Sequence, residues 1–380
     1  MKVVIAIDSF KGSLTSMEAG LAAKEGILKA CSDAEVIVKP LADGGEGTVE
    51  ALLAGMGGKK IMIDVTGPLG DKVPCSYGIL ENGKTAIMEM AEAAGIKLVP
   101  KEQLNPLNTT TYGVGEMIKD AISKGCRDFI IGIGGSSTND GGIGMLEALG
   151  YVFYDSEGAP VGPAGKDLAR ITSINTAGAL AELKDCRFRI ACDVNNPLYG
   201  PLGAAHVFGP QKGATPEIVK TLDDGLKIYS EAVERSLGKD TSAVPGTGAA
   251  GGLGYAFVTF LNAELESGIS IILKEIRIEE EIKTADYVIT GEGKLDFQTA
   301  MGKAPVGIAK LAKKYDKKVI AFAGGTTKDA DKCNEEGIDA YFGILRLPMA
   351  VEEAMEYETA KANMMSTANQ VFRLIKTASK

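Results

Sequence analysis

The sequence predicts two α/β domains, one assembled from both chain ends (residues 1–66 and 284–380) and one inserted between them (residues 67–283). Three observations carry this. Short continuous apolar runs recur, such as Val3-Val4-Ile5-Ala6-Ile7, and have the composition of strands buried on both faces. Most of these runs end in a glycine-rich or acidic loop, and helical patterns follow. The strand–loop–helix order of the first residues returns after residue 284, whereas the middle of the chain is more varied. One large continuous sheet is the competing arrangement.

The first strand should end in Asp8-Ser9-Phe10-Lys11-Gly12-Ser13. Thr15-Ser16-Met17-Glu18 has capping-box spacing, so a helix is expected from there to about Lys29. Glu35-Val36-Ile37-Val38 is the next strand, closing in Pro40-Leu41-Ala42-Asp43-Gly44-Gly45-Glu46-Gly47-Thr48, where a second helix begins. Lys72 to Met90 reads as antiparallel β structure. Asp128 to Ile133 is a buried strand that ends in Gly134-Gly135-Ser136-Ser137-Thr138-Asn139-Asp140-Gly141-Gly142, ahead of a helical run at 145–149. Phe188 to Cys192 is another strand, ending in Asp193-Val194-Asn195-Asn196-Pro197. Ile218, Leu222, Leu226, Tyr229, Val233 and Leu237 step by three or four, which is helical spacing. Late in the chain, Asp286 to Thr290 should end at Gly291-Glu292-Gly293, and Lys318 to Phe322 at Ala323-Gly324-Gly325-Thr326. A single last helix is expected from about Val351 to Lys376.

Composition narrows the chemistry. The chain has 380 residues and a net charge of −9, which argues against a nucleic-acid or anionic-membrane partner. No apolar stretch is long enough for a membrane span. Six cysteines without CxxC spacing read as free thiols, and a cytoplasmic location is expected. His206 is the sole histidine, which excludes multi-histidine metal sites and disfavours histidine acid–base chemistry. As a lone histidine it reads as a packed or capping residue. The 48 glycines cluster at junctions instead of forming a low-complexity tract.

Gly78-Ile79-Leu80-Glu81-Asn82-Gly83-Lys84-Thr85 fits the phosphate-loop pattern GxxxxGK[ST], but the flanking segments are strand-like. Asn-Gly between strands signals a hairpin, because both residues tolerate positive φ. The Gly134–Gly142 run is the stronger anion signal: glycines admit close backbone approach, three hydroxyl residues add donors, and a helix follows. Gly246 to Gly254 is less polar, and there a binding role and close helix packing stand level. Asp8, Asp43, Asp193 and Glu292 end apolar strands or open the next loop, with Asp296 nearby. Carboxylates at the carboxyl ends of strands suit Mg²⁺ and a base accepting a hydroxyl proton. Any single one also reads as a turn or cap. Lys11 and Lys212 lie in glycine-containing loops and are candidates for phosphate or a substrate carboxylate. Phosphoryl transfer needs these pieces and no histidine or cysteine.

With those residues in view, the chain resembles the bacterial type I glycerate kinase family. The matching motifs are DSFKGSLTS (8–16), PLADGGEGT (40–48), GIGGSSTNDGG (132–142), CDVNNPLYGPLGAA (192–205), FGPQKGA (208–214), GTGAAGGLG (246–254) and GEGKLDFQT (291–299). The resemblance implies ATP-dependent phosphorylation of D-glycerate, with the 2-phospho product usual for the group and the 3-phospho product the alternative. It also implies a flavodoxin- or Rossmann-like parallel-sheet domain from both termini with a distinct inserted α/β domain.

On that reading the active site lies in the cleft between the domains. Asp193 is the first candidate for general base and Asp296 the second, with Lys11 as a catalytic cation. Gly134, Gly135, Ser136, Ser137, Thr138, Asn139, Asp140 and Lys212 are expected to bind phosphates. Asp8, Ser9, Asp43, Gly44 and Gln298 are expected to bind substrate, and Asp193 and Glu292 to hold Mg²⁺. Monomer and homodimer both remain open. The rival classes are a non-catalytic sugar-acid-binding protein and a phosphatase using the same loops.

Overall fold

The computed structural model describes residues 1–378. The chain divides into two compact units: Met1–Asp43, Glu50–Gly57 and everything from Ile269 form the first, and Gly44–Val49 with Gly58–Gly268 form the second. In chain order the first unit opens with β1 (Lys2–Ile5) and β2 (Glu35–Val38). The second contributes β3 (Gly58–Thr66), β4 (Lys72–Leu80), β5 (Thr85–Glu89), β6 (Asp128–Gly132), β7 (Val152–Tyr154), β8 (Ser173–Asn175), β9 (Arg187–Ala191) and β10 (Glu264–Glu266). The chain returns to the first unit with β11 (Tyr287–Leu295), β12 (Lys318–Thr326) and β13 (Ala340–Gly343).

The first sheet has the order β13-β12-β11-β1-β2 and is parallel throughout. Counted within the unit this is the 2-1-3-4-5 order of flavodoxin-like folds, whose strand order reverses between β1 and β11. Val3, Val4 and Ile5 are fully buried, as a strand covered on both faces requires. Thr15 caps the helix Ser16–Ala30 in a capping box with Glu18. That helix packs on the long helix Tyr357–Ala378 through small residues. A Cβ on Gly26 would lie 2.1 Å from the Met365 carbonyl oxygen, so only glycine permits the approach. Ile27, Met364 and Phe372 close the core there.

The second sheet runs β10-β9-β6-β5-β4-β3, parallel from β10 to β5 and antiparallel from β5 to β3. Its core includes Phe129 stacked on Phe188 at 4.8 Å, with Tyr77, Tyr255 and Phe257 buried around it. The phosphate-loop look-alike is a hairpin: β4 and β5 are antiparallel, and Gly83 between them has φ +66°. No helix follows Thr85, so no dipole or row of free amides is aimed at an anion. Lys84→Ala is accordingly expected to leave kcat and KM within about twofold of the parent in steady-state assays, as for surface changes away from a site.

Four expectations shift. Residues 58–66 pair with β4 in the second sheet, so they belong to the second unit. Residues 269–283 belong to the first, where Ile269 packs on Gly307 and Ile276 near Gly55. β11 and β12 do not stop at their glycines: Glu292 pairs with Ala323 and Lys294 with Gly325. Gly291 and Gly324 mark close backbone approach, since a Cβ would meet the Phe322 carbonyl oxygen at 2.0 Å and the Gly293 carbonyl oxygen at 2.5 Å, respectively. The last helix is two, Val351–Met355 and Tyr357–Ala378, separated by Glu356 at ψ 135°. Among the described residues no helix is long and apolar enough to cross a membrane.

Candidate active site

In the first unit a cavity of about 600 Å³ opens at the carboxyl ends of β1 and β11, where the strand order reverses. Ligands of open α/β sheets gather at such a point. Asp8 follows β1 there. It is 8% exposed, and its Oδ1 accepts the Ser9 amide at 2.6 Å. Burial pushes the Asp8 carboxyl up to about 7, with repulsion from Asp43 and Glu292 adding to it and Lys11 opposing. Glu292 is raised too, mainly by burial, although the Thr299 hydroxyl donates to its Oε1 at 2.6 Å. Asp43, Ser9 and Lys11 also line the cavity.

Asp296 lines the same cavity but works as a helix cap. Its Oδ1 accepts the amides of Gln298 at 2.9 Å and Thr299 at 3.3 Å, and its Oδ2 lies 3.7 Å from the Lys294 ammonium. Gln298 stands exposed and outside the lining, its Oε1 accepting from Lys303 at 3.3 Å. Lys294 and Lys303 bring two further cations that the motif reading passed over. The signal for Lys303 is present in the sequence, a lysine following a glycine at the start of a helix, and its charge opposes the rise at Glu292.

In the second unit the Gly134–Gly142 run leaves β6 with only Gly134 and Gly135 exposed. Two of the three hydroxyls, those of Ser136 and Ser137, are engaged within the protein. Ser137 Oγ donates to the Ala94 carbonyl at 2.9 Å. Lys212 is fully buried, and its ammonium donates to Ser136 Oγ at 2.7 Å and to the Thr138 carbonyl at 2.6 Å. Burial lowers Lys212 to about 7, while the Asp140 carboxylate pulls it back up. Asp140 is fully buried, with Oδ2 accepting the amide and hydroxyl of Thr111, both at 2.7 Å. Thr138 Oγ1 and both side-chain amide atoms of Asn139 are buried with no hydrogen-bond partner in the protein.

The second glycine run turns out to be the first one's packing partner. Ala250, Gly251 and Gly252 are left-handed at φ 52°, 67° and 92°. Gly251 accepts the Gly141 amide at 2.9 Å, and a Cβ on it would fall 2.1 Å from the Thr138 carbonyl oxygen. Gly44 also packs in this unit, at φ +89°, with a Cβ excluded by Ala191 and Gly268. Asp193 is exposed after β9, and its Oδ1 accepts the Gly268 amide at 3.1 Å. His206 is a surface residue 3.7 Å from Asp223.

A family model described as the glycerate kinase family matches residues 3–376. The chain belongs to the glycerate kinase family. Relatives include the glycerate kinase of Haemophilus influenzae, 47% identical over 99% of both chains, and the glycerate 2-kinase of Escherichia coli, 48% identical over 93% of both. A crystal structure from Salmonella typhimurium LT2, assigned to glycerate kinase 2, superimposes with a TM-score of 0.92 at 43% identity and covers 100% of this chain and 99% of that one.

As a glycerate kinase-family phosphotransferase, the chain has to neutralise phosphate charge and handle a hydroxyl proton. Lysines and buried carboxylates at one sheet end are suited to both. Among the described residues no three of His, Cys, Asp and Glu converge as a closed metal cage. Mg²⁺ seldom uses one, taking one or two carboxylates together with substrate phosphates.

Proposed function

We propose that this chain transfers the terminal phosphoryl group of ATP to the 2-hydroxyl of D-glycerate, with Mg²⁺, giving 2-phosphoglycerate. The observation that carries the mechanism is Asp8: a buried carboxyl at the strand-order reversal, poised at about 7. A base works best with its pKa near the working pH. Asp8 therefore takes the hydroxyl proton in preference to Asp296, whose Oδ1 caps a helix and whose Oδ2 faces the Lys294 ammonium, or Asp193, which is exposed.

Lys11, Lys294 and Lys303 balance phosphate charge, and Ser9 adds a hydroxyl beside them. Beyond burial, repulsion from Asp43 raises both Asp8 and Glu292, a repulsion that a cation relieves, so the residues fit Mg²⁺. Glu292 and Asp43 would hold it, and the ion would supply charge neutralisation. Asp193 is the second unit's candidate for a metal or proton contact, and Asp193→Asn belongs in the same kinetic series. The exposed residues Gly134 and Gly135 are read as taking an anionic group of the reactants, with Lys212 tying Ser136 to Thr138 behind them and the run on to Asp140 completing the loop. The choice of the 2-hydroxyl is supported by the name of the Escherichia coli relative.

The test is ADP formation with and without D-glycerate, followed by phosphorus and carbon NMR of the product. ADP that appears only with D-glycerate, together with 2-phosphoglycerate, is the expected result. ADP without the acid would indicate a hydrolase, no ADP in either arm would sink the proposal, and 3-phosphoglycerate would overturn the hydroxyl assignment alone.

A further inference from the structure

We infer that the apolar half of the first unit's cavity seats the nucleoside of the phosphoryl donor. This rests on the reading of ATP as donor and adds where its base binds. The cavity is lined by two chemical kinds of residue. One kind is the carboxylates and lysines, among them Asp8, Glu292, Lys11 and Lys294. The other is hydrocarbon, supplied by Phe10, Ile344, Leu345, Met349, Val351 and Met355.

D-glycerate leaves that wall unexplained. It is a three-carbon acid with oxygen on every carbon, and it has almost no apolar surface to cover a hydrocarbon face. It is also far smaller than a cavity of about 600 Å³, which falls in the range of sites for drug-sized ligands. Leu345, Val351 and Met355 stand 47%, 67% and 38% exposed. Burying such surface is worth ~25 cal/mol per Å², so an apolar ligand face gains affinity there.

Local structure holds the wall against the polar loop. After β13 the chain runs through Ile344 to Ala350 into the short helix Val351–Met355, and the break at Glu356 separates that helix from the long one behind it. Gly12 has φ +77°, and a Cβ there would lie 2.8 Å from Met355 Cε. Thus the loop carrying Lys11 and the hydrocarbon wall are in contact. A ligand that matches this pairing is flat and apolar at one end and polyanionic at the other, as a nucleoside triphosphate is. Inorganic phosphate donors and small acids match only the charged part of this lining.

The experiment uses the full chain and two wall variants, Leu345→Asp and Ala354→Trp. The first puts a charge on an already exposed position, and the second fills space from the short helix. Calorimetric titrations with ADP and with inorganic tripolyphosphate are run beside steady-state kinetics. Expected are a rise of about tenfold or more in the Kd for ADP and the KM for ATP in both variants. The tripolyphosphate Kd and the D-glycerate KM should stay within about twofold, which also reports that the variants are folded.

Normal ADP affinity in both variants, or a change confined to D-glycerate, would overturn the inference and leave the ATP reading standing. A parent chain that neither binds ADP nor consumes ATP would overturn the donor reading and this inference with it.

Discussion

Asp8→Asn is expected to lower kcat by roughly 10²–10⁴-fold while ADP still binds, the size of effect associated with removing a general base. Asparagine keeps an oxygen for the Ser9 amide, so local geometry should persist while the proton acceptor is gone. In the parent, kcat/KM should fall about tenfold per pH unit below about 7, because the base is active only when deprotonated. The stability prediction runs the other way. The folded value of about 7 lies above the ordinary 3.8, so between those values the folded chain holds a proton that the unfolded chain lacks. Stability contributed by this group is therefore greatest below about pH 4 and is lost as pH rises through about 7. Asparagine carries no such charge to bury. Asp8→Asn should be more stable than the parent by ~2–4 kcal/mol at pH 8 and close to it near pH 4, read by denaturant titration at both pH values. An enzyme with near-parent turnover would exclude Asp8 as the base.

Lys212→Met is expected to reduce kcat/KM by about a hundredfold and to remove one pH dependence of stability. In the parent, Lys212 links Ser136 Oγ and the Thr138 carbonyl from a fully buried position. Methionine fills similar space but donates nothing, leaving two buried acceptors short at a cost of about 1–3 kcal/mol each. Against that, the variant no longer buries an ammonium, so net stability changes less than the lost bonds alone suggest. The lysine's folded value of about 7 lies below 10.5, so folding releases a proton between those values and stability rises with pH across that window. The rise should vanish in Lys212→Met. Retention of the slope would place its origin elsewhere, and parent-like kcat/KM would show that the loop keeps its working shape without the lysine.

Legibility differed by kind of residue. The hairpin around Asn82-Gly83, the capping box at Thr15 and the periodic helix near Tyr229 could be read from the sequence, because each depends on neighbours a few positions apart. Strand ends at Gly291 and Gly324 could not. Glycine there reports a neighbouring backbone from a distant segment, and the same letter also marks turns. Lys212 looked like a loop lysine reaching for phosphate. Its partners lie 74 and 76 positions away, and their approach makes it an interior strut. The wall from Phe10 to Met355 is drawn from distant segments and was not legible for the same reason.

Sequence alone determined the alternation of buried strands and helices, the position of an acidic residue after β1, and membership in a kinase family, because apolar periodicity, caps and long motifs are local properties of the chain. Only the tertiary structure decided which of the many carboxylates is shifted toward neutrality and which lysine is buried. Those properties come from desolvation and from charges that distant segments bring together, and no stretch of sequence contains them.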